Sequence, residues 1–312
     1  MEEIFQRFSH LAEEIFQNLN NEGLAKCREG GRFWKNFIDE RNYPWIRIVN
    51  IPTILPHGWT YLHLAVRHVQ IDIVEKIMKN SVEFGIDLNA KDSDPQRCSD
   101  LGLTAFHHTC ALGKVSIAEL FIHNHVELNI KLNSKCNIGG TPFFYACMLG
   151  QTKIAEILVK NSETIKMDLT SRSLFSATAF HFACSANHFN IVEMMIRNSN
   201  FYNFDFSAKD HHMMTGFQRA CKNGSKEVVE IIIHNSKSFE FDLTALECNG
   251  QTGFQLAKKY GYSDIINIIK TQKPDIAIDY TFPLIEFENN PATYVHFCMD
   301  IKTFFSSVIE GN

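Results

Sequence analysis

Four cysteines, Cys110, Cys147, Cys184 and Cys221, recur at intervals of 37 residues, each six residues after a threonine: Thr104, Thr141, Thr178 and Thr215. This fixed period is the strongest constraint on the chain. A stacked array buries its core between like neighbours and not in one globular centre. The register continues back to Thr60 and forward to Thr252, so six repeats share it. Nine residues after the threonine stand Gly113, Gly150, Gly224 and Gly261, with Val69 and Asn187 as exceptions. Four residues later a β-branched aliphatic follows in all six repeats, as at Ile154 and Val228. Glutamate then recurs (Glu75, Glu119, Glu156, Glu193, Glu230), and asparagine after it (Asn80, Asn124, Asn161, Asn198, Asn235).

Each repeat reads as two short helices. The threonine suits an N-cap, where its hydroxyl accepts from an unpaired N–H of the first turn. Pro142 then falls at the first helical position, where a missing N–H costs nothing. The glycine ends the first helix in a left-handed conformation. The second helix carries an apolar stripe such as Ile154, Ala155, Ile157 and Leu158, and a Gly/Asn-containing loop leads to the next threonine.

Gly58-Trp59-Thr60-Tyr61-Leu62-His63-Leu64-Ala65 and Gly140-Thr141-Pro142-Phe143-Phe144-Tyr145-Ala146 resemble the Gly-x-Thr-Pro-Leu-His-x-Ala signature of ankyrin repeats. Ala177-Thr178-Ala179-Phe180-His181-Phe182-Ala183 matches more loosely. The resemblance implies an all-α fold: an ankyrin-repeat solenoid of about six helix–turn–helix repeats over residues 56–272, capped by helices at both ends. The period exceeds the usual 33 residues. In four repeats the extra residues fall between the second helix and the loop, as from Asn161 to Asp168.

Charge and motifs narrow the function. Lys and Arg total 30 against 35 for Asp and Glu, a net charge of −5, which argues against nucleic-acid binding through a basic face. No run reaches the ~18 apolar residues of a membrane span. Met1-Glu2-Glu3 lacks the pattern of a secretory signal, so the expected compartment is the cytoplasm, with the nucleus as the alternative. The 14 histidines include His107-His108 and His211-His212, yet no four ligands have zinc-like spacing. His63, His107 and His181 occupy the signature position, where the resemblance implies a bridge to a neighbouring backbone. The cysteine ladder reads as small core residues at helix contacts, too far apart for disulfides. No phosphate loop, nucleophile elbow or zinc-protease motif occurs, so the expectation is a non-enzyme without cofactor or metal.

The flanks differ. In residues 1–50, Leu11-Ala12-Glu13-Glu14-Ile15, then Leu24-Ala25-Lys26-Cys27-Arg28 and Arg32-Phe33-Trp34, resemble an F-box. That family docks the Skp adaptor of cullin ubiquitin ligases, which would assign adaptor contacts to Leu11, Ile15, Leu24 and Trp34. Ala12 stands where the family has proline, and Gly30-Gly31 each cost ~1 kcal/mol inside a helix. An F-box-like or unrelated helical cap over the first repeat is the other reading. In residues 273–312, Tyr294, Phe297, Cys298, Ile301, Phe305 and Val308 form an apolar helical stripe, suited to capping the last repeat or to a partner.

Ankyrin-like arrays build a concave face from loop tips before each threonine and from positions seven and eight after it. Those positions place Leu101, Leu103, Leu112, Ile138, Met148, Leu149, Leu174 and Phe175 in one apolar patch, with His211 and His212 at its edge. The expectation is a protein partner held on this face, in a substrate-recognition adaptor of a Skp–cullin–F-box ligase. The alternative is a scaffold or effector with no ligase link. The long loops folding over the patch is the competing reading of those apolar residues.

Overall fold

The computed structural model describes residues 59–84, 86–92 and 101–277. The expected flanking helices in 1–50 and 278–312 lie outside them. Helices follow in pairs, one pair per repeat: α1 (Tyr61–Arg67) and α2 (Ile71–Phe84); α3 (Ala105–Ala111) and α4 (Val115–Asn124); α5 (Pro142–Met148) and α6 (Thr152–Lys160). A single turn, α7 (Ser162–Ile165), follows α6. Then come α8 (Ala179–Ser185) and α9 (Phe189–Asn198), α10 (Gly216–Asn223) and α11 (Lys226–Asn235), and α12 (Gly253–Lys259) and α13 (Ser263–Gln272). Isolated bridges pair Lys91 with Thr104 and Arg172 with Thr178, and the described residues form no strand. No described helix is long and apolar enough to cross a membrane.

The threonine starts each first helix as its chemistry requires. Thr141 is extended at φ −92° and ψ 167°, and its hydroxyl accepts from the Phe144 N–H. Thr215 and Thr252 do the same for Gln218 and Gln255, whose side-chain oxygens accept from the threonine N–H groups at 2.9 Å. This reciprocal box satisfies two otherwise unpaired donors. Residue nine is left-handed in all six repeats: Gly113, Gly150, Gly224 and Gly261 at φ 68–77°, but also Val69 at 55° and Asn187 at 58°. At Gly150 an added Cβ would also come within 2.8 Å of the His188 ring of the following repeat.

The second helices explain the recurring asparagine. Asn80, Asn161, Asn198 and Asn235 each donate from Nδ2 to the carbonyl four residues back, at 2.7–2.8 Å, and so close the last turn. The residues that lengthen the period follow it. They form α7 in the third repeat, and later supply Phe204, Phe206, Phe239 and Phe241. Phe206 lies 4.9 Å from both Phe180 and Phe241, ring centre to ring centre, so the longer repeat adds its own aromatic layer.

Two compact units are distinguished. The first comprises residues up to 105 with 123–130, and the second 106–122 with residues from 131 onward. In the first, the His63 Nε2–H donates to the Leu103 carbonyl at 3.0 Å while its Nδ1 accepts from the Thr60 N–H at 3.1 Å. In the second, first helices pack in the order α5, α8, α10, α12 and second helices in the order α6, α9, α11, α13, each on its neighbours in sequence. This is the stacking of an ankyrin solenoid. Cys147, Cys184 and Cys221 sit fully buried between the first helices, free and unpaired with one another. Burial pushes their thiols, and that of Cys110, well above the ordinary range.

Candidate protein-binding face

In the third to sixth repeats the loop before the first helix is a closed four-residue turn. In the fourth repeat Ser173 donates to Ala177 at 2.9 Å and Ser176 to Ser173 at 2.9 Å; in the fifth Asp210 donates to Met214 at 3.0 Å and Met213 to Asp210 at 2.9 Å. The residue two before the threonine is left-handed every time: Gly102, Gly139, Ser176, Met213 and Gly250. That conformation thrusts the two preceding residues out as the tip.

The tips of the second unit are tied in register through their backbones. The Leu174 N–H donates to the Ile138 carbonyl at 2.8 Å, His211 to Phe175 at 3.0 Å, and Cys248 to His212 at 3.0 Å. One row therefore carries Ile138, Leu174, Phe175, His211 and His212. Leu174 is 64% exposed, while Ile138 and Phe175 are half-buried. The His211 ring meets Phe175 edge-on at 6.3 Å. Leu112, Met148 and Leu149, at the ends of first helices, are half-buried.

Two expected contact residues are corrected. Leu103 is fully buried and Leu101 is 7% exposed, so neither offers a side chain to a partner. Leu103 carries the backbone link of the first unit: its carbonyl takes His63 and its N–H donates to Asp92. Leu11, Ile15, Leu24 and Trp34 lie outside the described residues.

Sequence reasoning missed two surface residues. Met213 is 49% exposed because it, and not glycine, fills the left-handed tip position. Phe182 is half-buried four residues after Thr178, the position held by Tyr145 and Arg219 in adjacent repeats, and packs on Phe144 at 4.8 Å. A column at that offset was the available signal.

Charge changes along the face. The first helices α5 and α8 contain no Asp, Glu, Lys or Arg, whereas α10 and α12 contain Arg219, Lys222, Lys258 and Lys259 and no acid. The nearby carboxylates are buried and engaged. Asp210 takes the Arg219 guanidinium through Nε at 2.6 Å and Nη2, and the N–H groups of His212 at 2.8 Å and Met214 at 3.1 Å. Glu247 accepts from the Asn249 N–H at 3.0 Å and the Gln251 N–H at 3.3 Å. Burial first, and Arg219 second, pull the His212 pKa down, which favours its neutral ring. Burial, together with Cys248's contact with Glu247, pushes that thiol up to about 11. Among the described residues no cluster of three or more His, Cys, Asp or Glu is placed to hold a metal ion.

Comparison with known families places the repeat. Residues 88–171 and 165–242 match ankyrin repeats, in three copies. No curated protein matches the chain. The matched region is a protein–protein interaction module of the ankyrin type.

Proposed function

We propose that this chain, which carries ankyrin repeats over residues 88–242, holds an extended segment of a protein partner on the tips and first-helix ends of its third and fourth repeats. The observation that carries the reading is the backbone-tied row of tips, in which Leu174 remains exposed beside Ile138 and Phe175. A contiguous apolar patch rimmed by polar groups suits an interface centre, and His211 and His212 supply that rim. The test is the double substitution Leu149→Asp with Phe175→Asp, checked for retained helicity. Loss of partner capture supports this face, and unchanged capture removes it.

A finer proposal concerns the ligase. The F-box resemblance at Leu11, Ile15, Leu24 and Trp34 supports a substrate-recognition adaptor that recruits Skp and cullin. Burying one large apolar side chain is worth roughly 1.5–3 kcal/mol. Ile15→Asp should therefore abolish binding to purified Skp adaptor while the repeats stay folded. If the wild-type chain does not bind the adaptor, the non-catalytic scaffold or effector without a ligase link stands.

A further inference from the structure

The charge step among the first helices calls for its own explanation. Cations suit helix C-termini, yet α5 and α8 end without one, so helix ends alone do not account for Lys222, Lys258 and Lys259. Nor do internal ion pairs account for Lys222 and Lys259. Asp210 is occupied by Arg219 and two backbone N–H groups, and Glu247 by its own turn. Lys222 makes no ion pair among the described residues. Its ammonium is half-buried and lies 6.0 Å from the centre of the Tyr260 ring. Lys259 reaches the Gln251 side-chain carbonyl at 3.2 Å and likewise has no carboxylate partner among the described residues.

Burial, and then Arg219, pull the Lys222 pKa down. Glu247 and Asp210 oppose the shift, and Lys259 adds to it. The same groups that crowd this ammonium would welcome an incoming anion. Tyr260 is 47% exposed and supplies an aromatic wall against which a partner's chain could lie.

We infer that the fifth and sixth repeats recognise carboxylate side chains of the bound protein segment, with Lys222 and Lys259 as their partners and Tyr260 beside Lys222. This rests on the proposed use of the face by a protein partner and deepens it: the segment is apolar over the third and fourth repeats and acidic beyond. Stacked helices lie ~10 Å apart, so Leu149 and Lys222, two repeats removed, are separated by about 20 Å. An extended chain spans that in about six residues. The recognised segment therefore has a large apolar residue and an Asp or Glu about six positions apart. Arg219 positions the site indirectly. It holds Asp210, which in turn fixes the His212 and Met214 N–H groups of the neighbouring tip.

The test selects displayed random peptides of about twelve residues on the full-length protein. The recovered peptides are then titrated, fluorescently labelled, against variants checked for unchanged helicity. Peptides pairing an apolar residue with a downstream or upstream Asp or Glu are expected. Their affinity should fall at least tenfold on Lys222→Glu with Lys259→Glu, and raising the salt should weaken wild type far more than that variant. Selection of acid-free peptides overturns the inference, as does unchanged affinity in the double-charge variant. If those peptides still lose binding on Leu149→Asp with Phe175→Asp, the apolar face survives and only the acidic specificity fails. Peptides indifferent to both double variants overturn the face itself.

Discussion

The first, second and fourth repeats differ from the fifth and sixth in how they solve one geometric problem. The third residue after the threonine can cap its own helix and reach the backbone of the next repeat. In the fourth repeat His181 does so with both ring nitrogens: Nδ1 accepts from the Thr178 N–H at 3.2 Å and Nε2–H donates to the Met214 carbonyl at 3.0 Å. In the fifth, Gln218 does it with an amide, accepting from Thr215 at 2.9 Å and donating to Ala245 at 2.8 Å and Gln251 at 3.0 Å. His63 makes both contacts, and His107 reaches the Gly140 carbonyl through Nε2. The third repeat uses neither, and places Phe144 there among Tyr145 and Phe182. The glutamine repeats also carry Gly216 and Gly253 directly after the threonine, where the others have Ala105, Pro142 and Ala179. A Cβ on Gly253 would stand 2.7 Å from the Phe217 ring of the preceding repeat, so those first helices approach more closely. Where this place is polar it supplies both a donor and an acceptor, and two side chains of different acid–base behaviour do so.

The largest expected effect comes from deleting a bridge of either kind. His181→Ala and Gln218→Ala each strand buried backbone groups and open space in the core, and each should cost about 3 kcal/mol in urea denaturation. Equal costs mean that the two chemistries are interchangeable as supports. A cost near zero for either one breaks the equivalence.

Acid should then separate them. Burial lowers the His181 pKa, and the Asp210 charge opposes this only in part. A protonated ring could no longer accept the Thr178 N–H. Because the folded state favours the neutral ring, the stability from this site is present above the unfolded-state pKa of about 6.5 and is lost as pH falls below it. Glutamine keeps the donor and the acceptor of the bridge but does not titrate. Between about pH 7.5 and about pH 5.5, a window that brackets that value, the urea midpoint of wild type should fall by more than that of His181→Gln. Identical pH profiles for the two proteins would show that this bridge does not sense protons.

A smaller effect lies at the ends of the first helices. Both glutamine repeats have glycine at the left-handed position nine after the threonine, Gly224 and Gly261, whereas the histidine repeats include Val69 at φ 55°. Val69 is 47% exposed, so its side chain contributes little packing to offset the backbone strain. Val69→Gly should stabilise the fold by about 1 kcal/mol, read as a raised thermal midpoint. A lowered midpoint would mean that the valine makes contacts worth more than its strain.

The sequence by itself determined the period, the capping threonine, the buried cysteine column and the left-handed position, because each follows from chemistry within one repeat. The threonine hydroxyl needs only the next turn of its own helix, and a left-handed residue shows itself as glycine or asparagine. Even Val69 is legible, since the register places it where the other repeats require that conformation. Met213 is legible in the same way, since it holds the place that Gly102, Gly139 and Gly250 hold in other repeats. Leu101 stands three residues before its threonine, as Ile138 and Phe175 do, yet it is buried and they are half-exposed. Only tertiary structure decided that. The same holds for the acids beside Lys222. The fold buries Asp210 and Glu247 in their own turns, where backbone N–H groups engage them. A one-dimensional register specifies which residues occupy equivalent places. Burial at those places depends on what lies across the stack, which neighbouring repeats supply from 33–40 residues away.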